Sequence, residues 1–415
     1  MSIFDLSILH CPAESNESLQ IYYLHQDSFQ LTTWSSCTAL VSKLLNLSIV
    51  EIPHSITFAT TYRDFVTTLN KRVSDYFKIN NISRHANPEM VIKTIVMFSL
   101  YLIPYFLIVT SAVSNIAGLI GLVVIMGFGL AGIGLSVMHD ANHGAYSNKA
   151  WINTFIGYSL NFVGANVFNW KIQHNVLHHS YTNIHEEDED ISPRGVLRMS
   201  PHSKWNSIHR YQFIYAWLLY GLMTIVWMVA KDFIRMVRYY KNGLAKKQKA
   251  NIVREWGILL GTKIFYVGYI FLIPLFVTSL TWWQILIGIF MMHYLAGFLL
   301  AIIFQPAHVI EGSAFPLPDE NRIVENNWAV HQLLTTTNFG NGSRWFTWYV
   351  GGLNFQIEHH LFPSTCHVHY RKISGIVKET ALEFGLPYKS VKTFFGALIG
   401  HAKLLKQLGR EPLQH

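Results

Sequence analysis

Histidine is the residue type whose number and spacing point most directly to chemistry in this sequence. The chain has 21 histidines among 415 residues, and eight of them draw attention: seven stand in three short groups, and one stands alone between the second and third groups. His139 and His143 are four residues apart, as are His174 and His178, so each pair shares one face of a helix. The other members are His179, His308, His359 and His360. Neutral imidazole is a ligand for iron, copper, nickel or zinc, so the groups predict a metal site.

The number of candidate ligands indicates two ions rather than one. A single zinc ion takes at most about four protein ligands, and the eight histidines are joined by Gln356 in the segment QIEHH. Removing hydrogen from an unactivated CH₂ group needs a strong oxidant, which acid–base side chains do not supply. We therefore expect two non-haem iron ions, with O₂ as a co-substrate.

Several polar residues near these groups are candidates for supporting roles. Asp140 follows His139 directly, and its carboxylate is expected to orient a ligand. One carboxylate of the acidic run 186–190 is a further candidate, although such a run is by default a solvated surface. Asn175 and Asn183 frame the second histidine group, where packing and capping are the alternative roles. His331 is expected to support the site rather than to bind metal.

Apolar helices must position these residues. Hydrophobic residues make up 51% of the chain and charged residues 13%, compared with about 25% charged residues in soluble domains. Residues 93–112, 116–138, 257–279 and 283–305 are each long enough to cross about 30 Å of hydrocarbon. The connectors within each pair are short and uncharged. The pattern predicts an all-α integral membrane protein with four transmembrane helices, arranged as two hairpins.

The two hairpins bring the histidine groups to one side of the membrane, because an even number of crossings separates the early groups from the late ones. Residues 231–254 are rich in Lys and Arg, and by the positive-inside rule this side is the cytoplasm. We therefore expect a cytoplasmic di-iron cap. Residues 151–170, interrupted by asparagines, predict an interfacial or re-entrant helix. Residues 212–230 have charged segments on both sides and are expected to lie along the membrane.

An amphipathic helix is predicted over residues 65–77, where apolar residues recur at helical spacing. It either leads to the membrane or packs on the catalytic region. Residues 1–55 show no clear periodicity, and we treat them as an N-terminal extension of unknown role before one domain over 56–415. The first twenty residues lack the features of a cleaved signal peptide.

Charge and cysteine content limit the possible partners and compartments. The formal net charge is +8, but the basic residues flank apolar segments, which favours a membrane protein over a nucleic-acid-binding one. We expect the lipid bilayer as a partner and no nucleic acid. The three cysteines, Cys11, Cys37 and Cys366, form no disulfide framework, which indicates a reducing compartment.

The order HxxxH, HxxxHH, QxxHH resembles the three histidine boxes of the membrane fatty acid desaturase family, over about residues 56–400. The segment QIEHHLFP is similar to the third box of the front-end branch, and HNVLHHSYTN followed by DEDI is similar to bacterial acyl-CoA or acyl-lipid members. The resemblance implies a cis double bond placed between the carboxyl end and an existing double bond. It also implies that the irons are bound by His139, His143, His174, His178, His179, His308, His359 and His360, with Gln356 at the variable ligand position.

The resemblance implies partners as well. The substrate would be a fatty acyl-CoA or an acyl-lipid, and the membrane would be a bacterial inner membrane. Many eukaryotic front-end members carry a fused cytochrome domain with a His-Pro-Gly-Gly motif, which this sequence lacks. We therefore expect a separate electron donor, either ferredoxin or a free cytochrome with its reductase.

Other functions would suit some of the same residues. A fatty acyl hydroxylase or a sphingolipid desaturase of the same superfamily would use the same boxes, and product analysis separates them. A membrane metal transporter is an alternative from a different class, but it would place histidines at mid-span. His293 alone stands inside an apolar stretch, where a packed core residue is the simpler interpretation. No HExxH motif of a metalloprotease occurs.

Overall fold

The computed structural model describes residues 56–192 and 195–410, so the predicted extension over residues 1–55 lies outside the described residues. The described part is mostly helical with almost no sheet, which confirms the predicted fold class. Its principal helices are α1 (Arg63–Ile79), α2 (Pro88–Val109), α3 (Ile116–Asn142), α4 (Ala150–Gly157), α5 (Ser159–Phe162), α6 (Val167–Lys171), α7 (His179–Tyr181), α8 (Gln212–Gly221), α9 (Met223–Val226), α10 (Asp232–Lys241), α11 (Leu244–Lys247), α12 (Ile252–Val277), α13 (Trp282–His308), α14 (Trp328–Thr335), α15 (Arg344–Tyr349), α16 (Gln356–Leu361), α17 (Tyr370–Glu383) and α18 (Phe394–Leu408).

Short segments of other types complete the described chain. Two-residue strands pair in parallel, β1 (Thr57–Phe58) with β2 (Ile323–Val324) and β3 (Asn338–Phe339) with β4 (Ser390–Val391). π-Helical segments interrupt or extend several helices, and 3₁₀ turns precede two others. These segments are Ile133–Val137, Ile172–His178, Trp227–Lys231, Gly268–Leu272, Ser207–Tyr211 and His367–His369.

Four helices, α2, α3, α12 and α13, are long and apolar enough to span a membrane, as predicted. Their bounds differ from the expected ones by a few residues. Helix α2 begins five residues before Lys93, because Pro88 occupies the first helical turn and the Asn87 side chain caps Met90 N–H. Lys93 therefore lies inside the helix rather than at its border. Helix α3 continues through His139 to Asn142.

The two weaker apolar stretches do not form straight spans. Residues 150–171 are divided among α4, α5 and α6, and the interfacial or re-entrant placement of residues 151–170 stays a prediction. Residues 207–241 form two helical halves that meet at an angle of 57°, so the stretch is either a broken fifth span or a re-entrant one by length and composition. That residues 212–230 lie along the membrane stays a prediction.

Helix α1 packs on the catalytic region, which decides between the two expectations for it. Its side chains Phe65, Leu69, Val73 and Phe77 are buried in one apolar core with residues from α17. The same core contains Phe355 and Ile357, on either side of Gln356. The helix thus fixes the segment that carries the third histidine group.

A glycine pair allows that segment to approach α3 closely. Gly351 and Gly352 have φ angles of 64° and 67°, a region that glycine adopts at little cost. A Cβ atom on Gly351 would lie 2.4 Å from the carbonyl oxygen of Leu135. The backbone of the third histidine segment therefore touches α3 just before His139.

Candidate metal centre

π-Helical geometry directs two of the histidine groups. In a π-helix each N–H bonds the carbonyl five residues back, so the turn is wider than in an α-helix, and π-turns are frequent at functional sites. One such segment, Ile133–Val137, ends just before His139, and the other, Ile172–His178, contains His174 and His178. Residues four and five positions apart thus return to nearly the same face, which lets His178 and His179 both face His174.

Four histidines from three separate segments form a first cluster: His139, His143, His174 and His359. One ring nitrogen of each lies within 4.8 Å of the others. The Nε2 atoms of His139 and His174 are 3.2 Å apart. Helix α3, the π-segment before α7, and α16 thus meet at one point, although the residues are up to 220 positions apart.

A second cluster adjoins the first and consists of His178, His308 and His360, whose ring nitrogens again lie within 4.8 Å of one another. His179 lies between the clusters. Its Nε2 atom is 3.0 Å from His359 Nε2, and its ring stacks on His360 with centroids 4.3 Å apart. All eight predicted histidines therefore converge.

The donor atoms fit metal ions better than they fit one another. Several buried ring nitrogens have no hydrogen-bond partner among the described residues, namely His143 Nε2, His179 Nδ1, His308 Nε2 and His360 Nε2. Both amide atoms of Gln356 are likewise unpaired. An unsatisfied buried polar atom costs about 1–3 kcal/mol. A metal ion lies about 2.1 Å from each imidazole nitrogen that binds it. Two such nitrogens at a right angle are about 3 Å apart, which is close to the Nε2–Nε2 distances of 3.2 Å and 3.0 Å given above.

Burial keeps most of these imidazoles in the neutral form that binds metal. Burial, followed by the charge of neighbouring histidines, lowers the pKa of His174, His179 and His359 well below the usual value. His360 behaves in the same way. For His178, burial lowers the pKa, but the Asp188 and Asp190 carboxylates together raise it more, so the net shift is upward. The second cluster therefore contains the one ring of these five whose pKa is raised.

Polar groups behind the rings fix their orientation. His178 Nδ1 lies 3.0 Å from Asp188 Oδ2, and His360 Nδ1 lies 2.8 Å from Gln332 Oε1. His359 Nδ1 faces the Tyr370 hydroxyl at 3.2 Å. Such partners set the tautomer and leave Nε2 free for an ion. The sequence predicted a supporting carboxylate within residues 186–190, and Asp188 is that residue. Gln332 and Tyr370 were not predicted; the sequence shows only that Gln332 follows His331 and that Tyr370 follows the third histidine group.

The residues predicted to support the site lie around it. Asp140 Oδ1 is 3.9 Å from His139 Nδ1, and Asn183 donates from Nδ2 to the His308 carbonyl at 3.0 Å. Asn175 donates from Nδ2 to the Asn142 carbonyl at 3.0 Å, beside His143. These positions suit supporting roles, which stay predictions.

Two further histidines lie outside the clusters. His331 Nε2 donates to the Thr182 carbonyl at 2.8 Å, and burial lowers the His331 pKa to about 4. It belongs to neither cluster. His293 bonds the Tyr266 hydroxyl at 2.5 Å and Thr224 Oγ1 at 3.1 Å inside α13, in agreement with its interpretation as a core residue.

Comparison with known proteins identifies the family. Residues 114–392, which include all eight histidines, match the family described as "Fatty acid desaturase". The chain belongs to the fatty acid desaturase family. The desaturase is therefore an oxidoreductase that introduces a double bond into a fatty acyl chain, and the resemblance inferred from the boxes is confirmed.

Relatives match the desaturase over most of their length. An sn-1 linoleoyl-lipid 6-desaturase of Synechocystis sp. is 34% identical over 85% of this chain and 97% of its own. An sn-1 linoleoyl-lipid 6-desaturase of Arthrospira platensis is 35% identical over 84% and 93%. An acyl-lipid (8-3)-desaturase of Physcomitrium patens is 36% identical over 83% and 72%. The similarity thus extends through the spanning helices as well as the histidine segments.

Proposed function

We propose that the desaturase uses two iron ions and O₂ to form a cis double bond in the acyl chain of a membrane lipid. The observation that carries the proposal is the pair of adjoining clusters, with four and three histidines and His179 between them. The number of ring nitrogens suits two ions, and iron is the metal general to the family. Gln356, buried and unpaired, is the candidate for a further ligand.

The chain's own residues would hold and shield the ions. The pair of irons, when bound, supplies the O₂-dependent oxidation that removes two hydrogens from adjacent carbons. The histidines of both clusters bind the ions, and Asp188, Gln332 and Tyr370 keep three rings in orientation. The indole of Trp170, 4.5 Å from the His174 ring, and the ring of Phe304, 6.1 Å from that of His139, pack against the first cluster. They exclude water, which limits side reactions at an oxidising site.

We propose front-end regioselectivity on an acyl-lipid substrate, with linoleoyl lipids as the first candidates. The relatives named above are linoleoyl-lipid 6-desaturases and an acyl-lipid (8-3)-desaturase, and glutamine opens the third histidine group here. The clusters stand at the ends of the spanning helices α3 and α13, beside the region in which the acyl chains of membrane lipids lie. An acyl-CoA substrate is the alternative.

The clusters are proposed to face the cytoplasm. Leu244 of α11 packs in one apolar core with Ile172 and Leu177 of the second histidine group. The basic residues around α11 therefore lie on the histidine side, and basic segments favour the cytoplasmic side. They are Lys241, Lys246, Lys247, Lys249 and Arg254. A bacterial inner membrane and a separate donor, ferredoxin or a free cytochrome with its reductase, complete the proposal.

Expression in a host that lacks front-end desaturases, with added linoleate, tests the activity. Gas chromatography of the lipid-bound fatty acids should show a trienoic product with its new double bond on the carboxyl side of the existing ones. The His178→Ala variant should accumulate in the membrane without forming this product, whereas His202→Ala, at an exposed histidine, should form it. A hydroxylated product, or desaturation of sphingolipids alone, would replace the proposal with one of its alternatives.

A further inference from the structure

A buried lysine in the first spanning helix is not used by the histidine clusters. Lys93 is 1% exposed, although it lies in α2 among apolar residues. A charged side chain at membrane depth is costly, and such residues commonly have a functional partner. The partner of Lys93 is His367, because Lys93 Nζ lies 2.6 Å from His367 Nε2. The two residues are 274 positions apart in the sequence.

The contact with Lys93 determines which nitrogen of His367 carries the proton. An ammonium group has donors and no acceptor, so His367 Nε2 must accept and the single ring proton of the neutral imidazole must reside on Nδ1. His367 Nδ1 lies 2.8 Å from Asp140 Oδ2, to which it donates. The backbone N–H of His367 donates to the same oxygen at 3.1 Å.

The other oxygen of Asp140 faces the first cluster. Asp140 Oδ1 is 3.9 Å from His139 Nδ1, and His139 Nε2 faces His174. We propose that Lys93 and His367 are positioning residues, which hold the Asp140 carboxylate so that it orients His139 toward the ion of the first cluster. This inference rests on the proposed di-iron function.

An additional metal site is a competing interpretation of the same residues. Asp140, Cys366 and His367 have ligand atoms close enough to hold an ion. However, the Lys93 ammonium already lies against His367 Nε2, and His367 Nδ1 already donates to Asp140. A cation would displace one positive group and break one hydrogen bond. Lys93 and Asp140 instead balance their charges through a neutral histidine, which limits the cost of burial.

A matched pair of substitutions at His367 tests the assignment. The amide nitrogen of asparagine comes near the position of histidine Nδ1, whereas that of glutamine comes near the position of Nε2. His367→Asn should therefore keep the donor to Asp140 and retain most of the turnover. His367→Gln should lose it, and kcat should fall about 10-fold or more while KM for the acyl substrate stays unchanged.

Substitutions of Lys93 provide a second test in case the His367 variants do not fold. Lys93→Met removes the donor that fixes the tautomer, and Lys93→Gln retains one. Iron affinity and the near-infrared magnetic circular dichroism of the ferrous protein should change in Lys93→Met and be largely restored in Lys93→Gln. Thr94→Val is the control, because Thr94 is the next residue of the same helix and bonds Tyr146 instead.

Each outcome decides one claim. Equal kcat in His367→Asn and His367→Gln, or a ferrous spectrum of Lys93→Met like that of the wild type, would overturn the positioning role. An additional metal equivalent that is lost in His367→Asn would favour the competing metal site. Wild-type protein without iron would instead overturn the proposed di-iron function, so the two failures are distinguishable.

Discussion

A buried imidazole whose ring nitrogen lacks a partner lowers the free energy of unfolding, and this chain buries several such rings side by side. Each unpaired nitrogen costs about 1–3 kcal/mol, and those of His143, His308 and His360 are directed into the clusters. Bound ions would remove that cost. The rings proposed to bind iron are therefore expected to make folding stability depend on iron.

The hydrogen bond from His178 to Asp188 should control iron affinity at the second cluster. The Asp188 carboxylate accepts hydrogen bonds from the His178 ring and from the backbone N–H groups of Asn183 and Asp190. In Asp188→Asn the negative charge that orients the ring is lost. Iron affinity should fall about 10- to 100-fold, as measured by competition with a chelator. The exposed Glu320→Gln should bind iron like the wild type, and unchanged affinity in Asp188→Asn would contradict the assignment.

All eight clustered histidines were predicted from residue type, spacing and position next to apolar segments, because these are local features of the sequence. The residues behind them were not predictable in the same way. Gln332 and Tyr370 meet His360 and His359 through tertiary packing, and Lys93 meets His367 across most of the chain. Such contacts depend on how distant helices pack against one another, which a local sequence pattern does not predict.

At the scale of elements, backbone irregularities bring the histidine segments together. The π-segments Ile133–Val137 and Ile172–His178 direct the first two groups inward. The glycine pair at 351 and 352 lets the third approach α3. Each irregularity lies within about eight residues of a clustered histidine, so local backbone geometry contributes directly to the clusters.

Substitution of Gly351 by alanine should displace the third histidine segment. The added Cβ would lie 2.4 Å from the Leu135 carbonyl, and the φ angle of 64° is strained for alanine. We expect lower turnover, less iron per chain and a lower melting temperature, with a cost of about 1–3 kcal/mol from backbone strain.

Gly342→Ala is the matched control for this prediction. Gly342 lies nine residues earlier in the same region, and a Cβ atom there would meet nothing within 4 Å. It should leave turnover, iron content and melting temperature near the wild-type values. Equal behaviour of the two variants would contradict the role given to Gly351.

Hydropathy predicted the four spanning helices well, because length and apolar content are properties of each segment alone. The observed helix ends differ from the predicted ones where capping residues set them, as Asn87 and Pro88 do for the start of α2. The π-segments were not predicted, since an α-helix of the same sequence has the same periodicity. The bend within residues 212–230 was not predicted either, and both helices that meet there pack against α13.

At the scale of the whole molecule, buried neutral histidines outside the clusters also link the helices that surround the histidine clusters. His401 of α18 bonds the Val309 carbonyl at 2.5 Å and the Tyr220 hydroxyl at 2.6 Å. It thereby links the C-terminal helix to the end of α13 and to α8. Burial lowers the pKa of His401 to about 4, as it does for His331.

The free energy of unfolding should therefore decrease in acid. Because the folded-state pKa values lie below the unfolded value of about 6.5, these groups contribute stability above pH ~6.5 that is lost as the pH falls toward 4. The melting temperature of the detergent-solubilised protein should fall over this window. His401→Gln should show a shallower fall and the exposed His202→Gln the wild-type slope; equal slopes in all three would contradict the role of His401.

The iron content of purified protein tests the central claim most directly. Elemental analysis of the wild-type desaturase, prepared from iron-supplied cells in mild detergent, should give two iron atoms per chain. One iron or none per chain in a preparation that forms the double bond would contradict the account, because the two histidine clusters would then not both be metal sites.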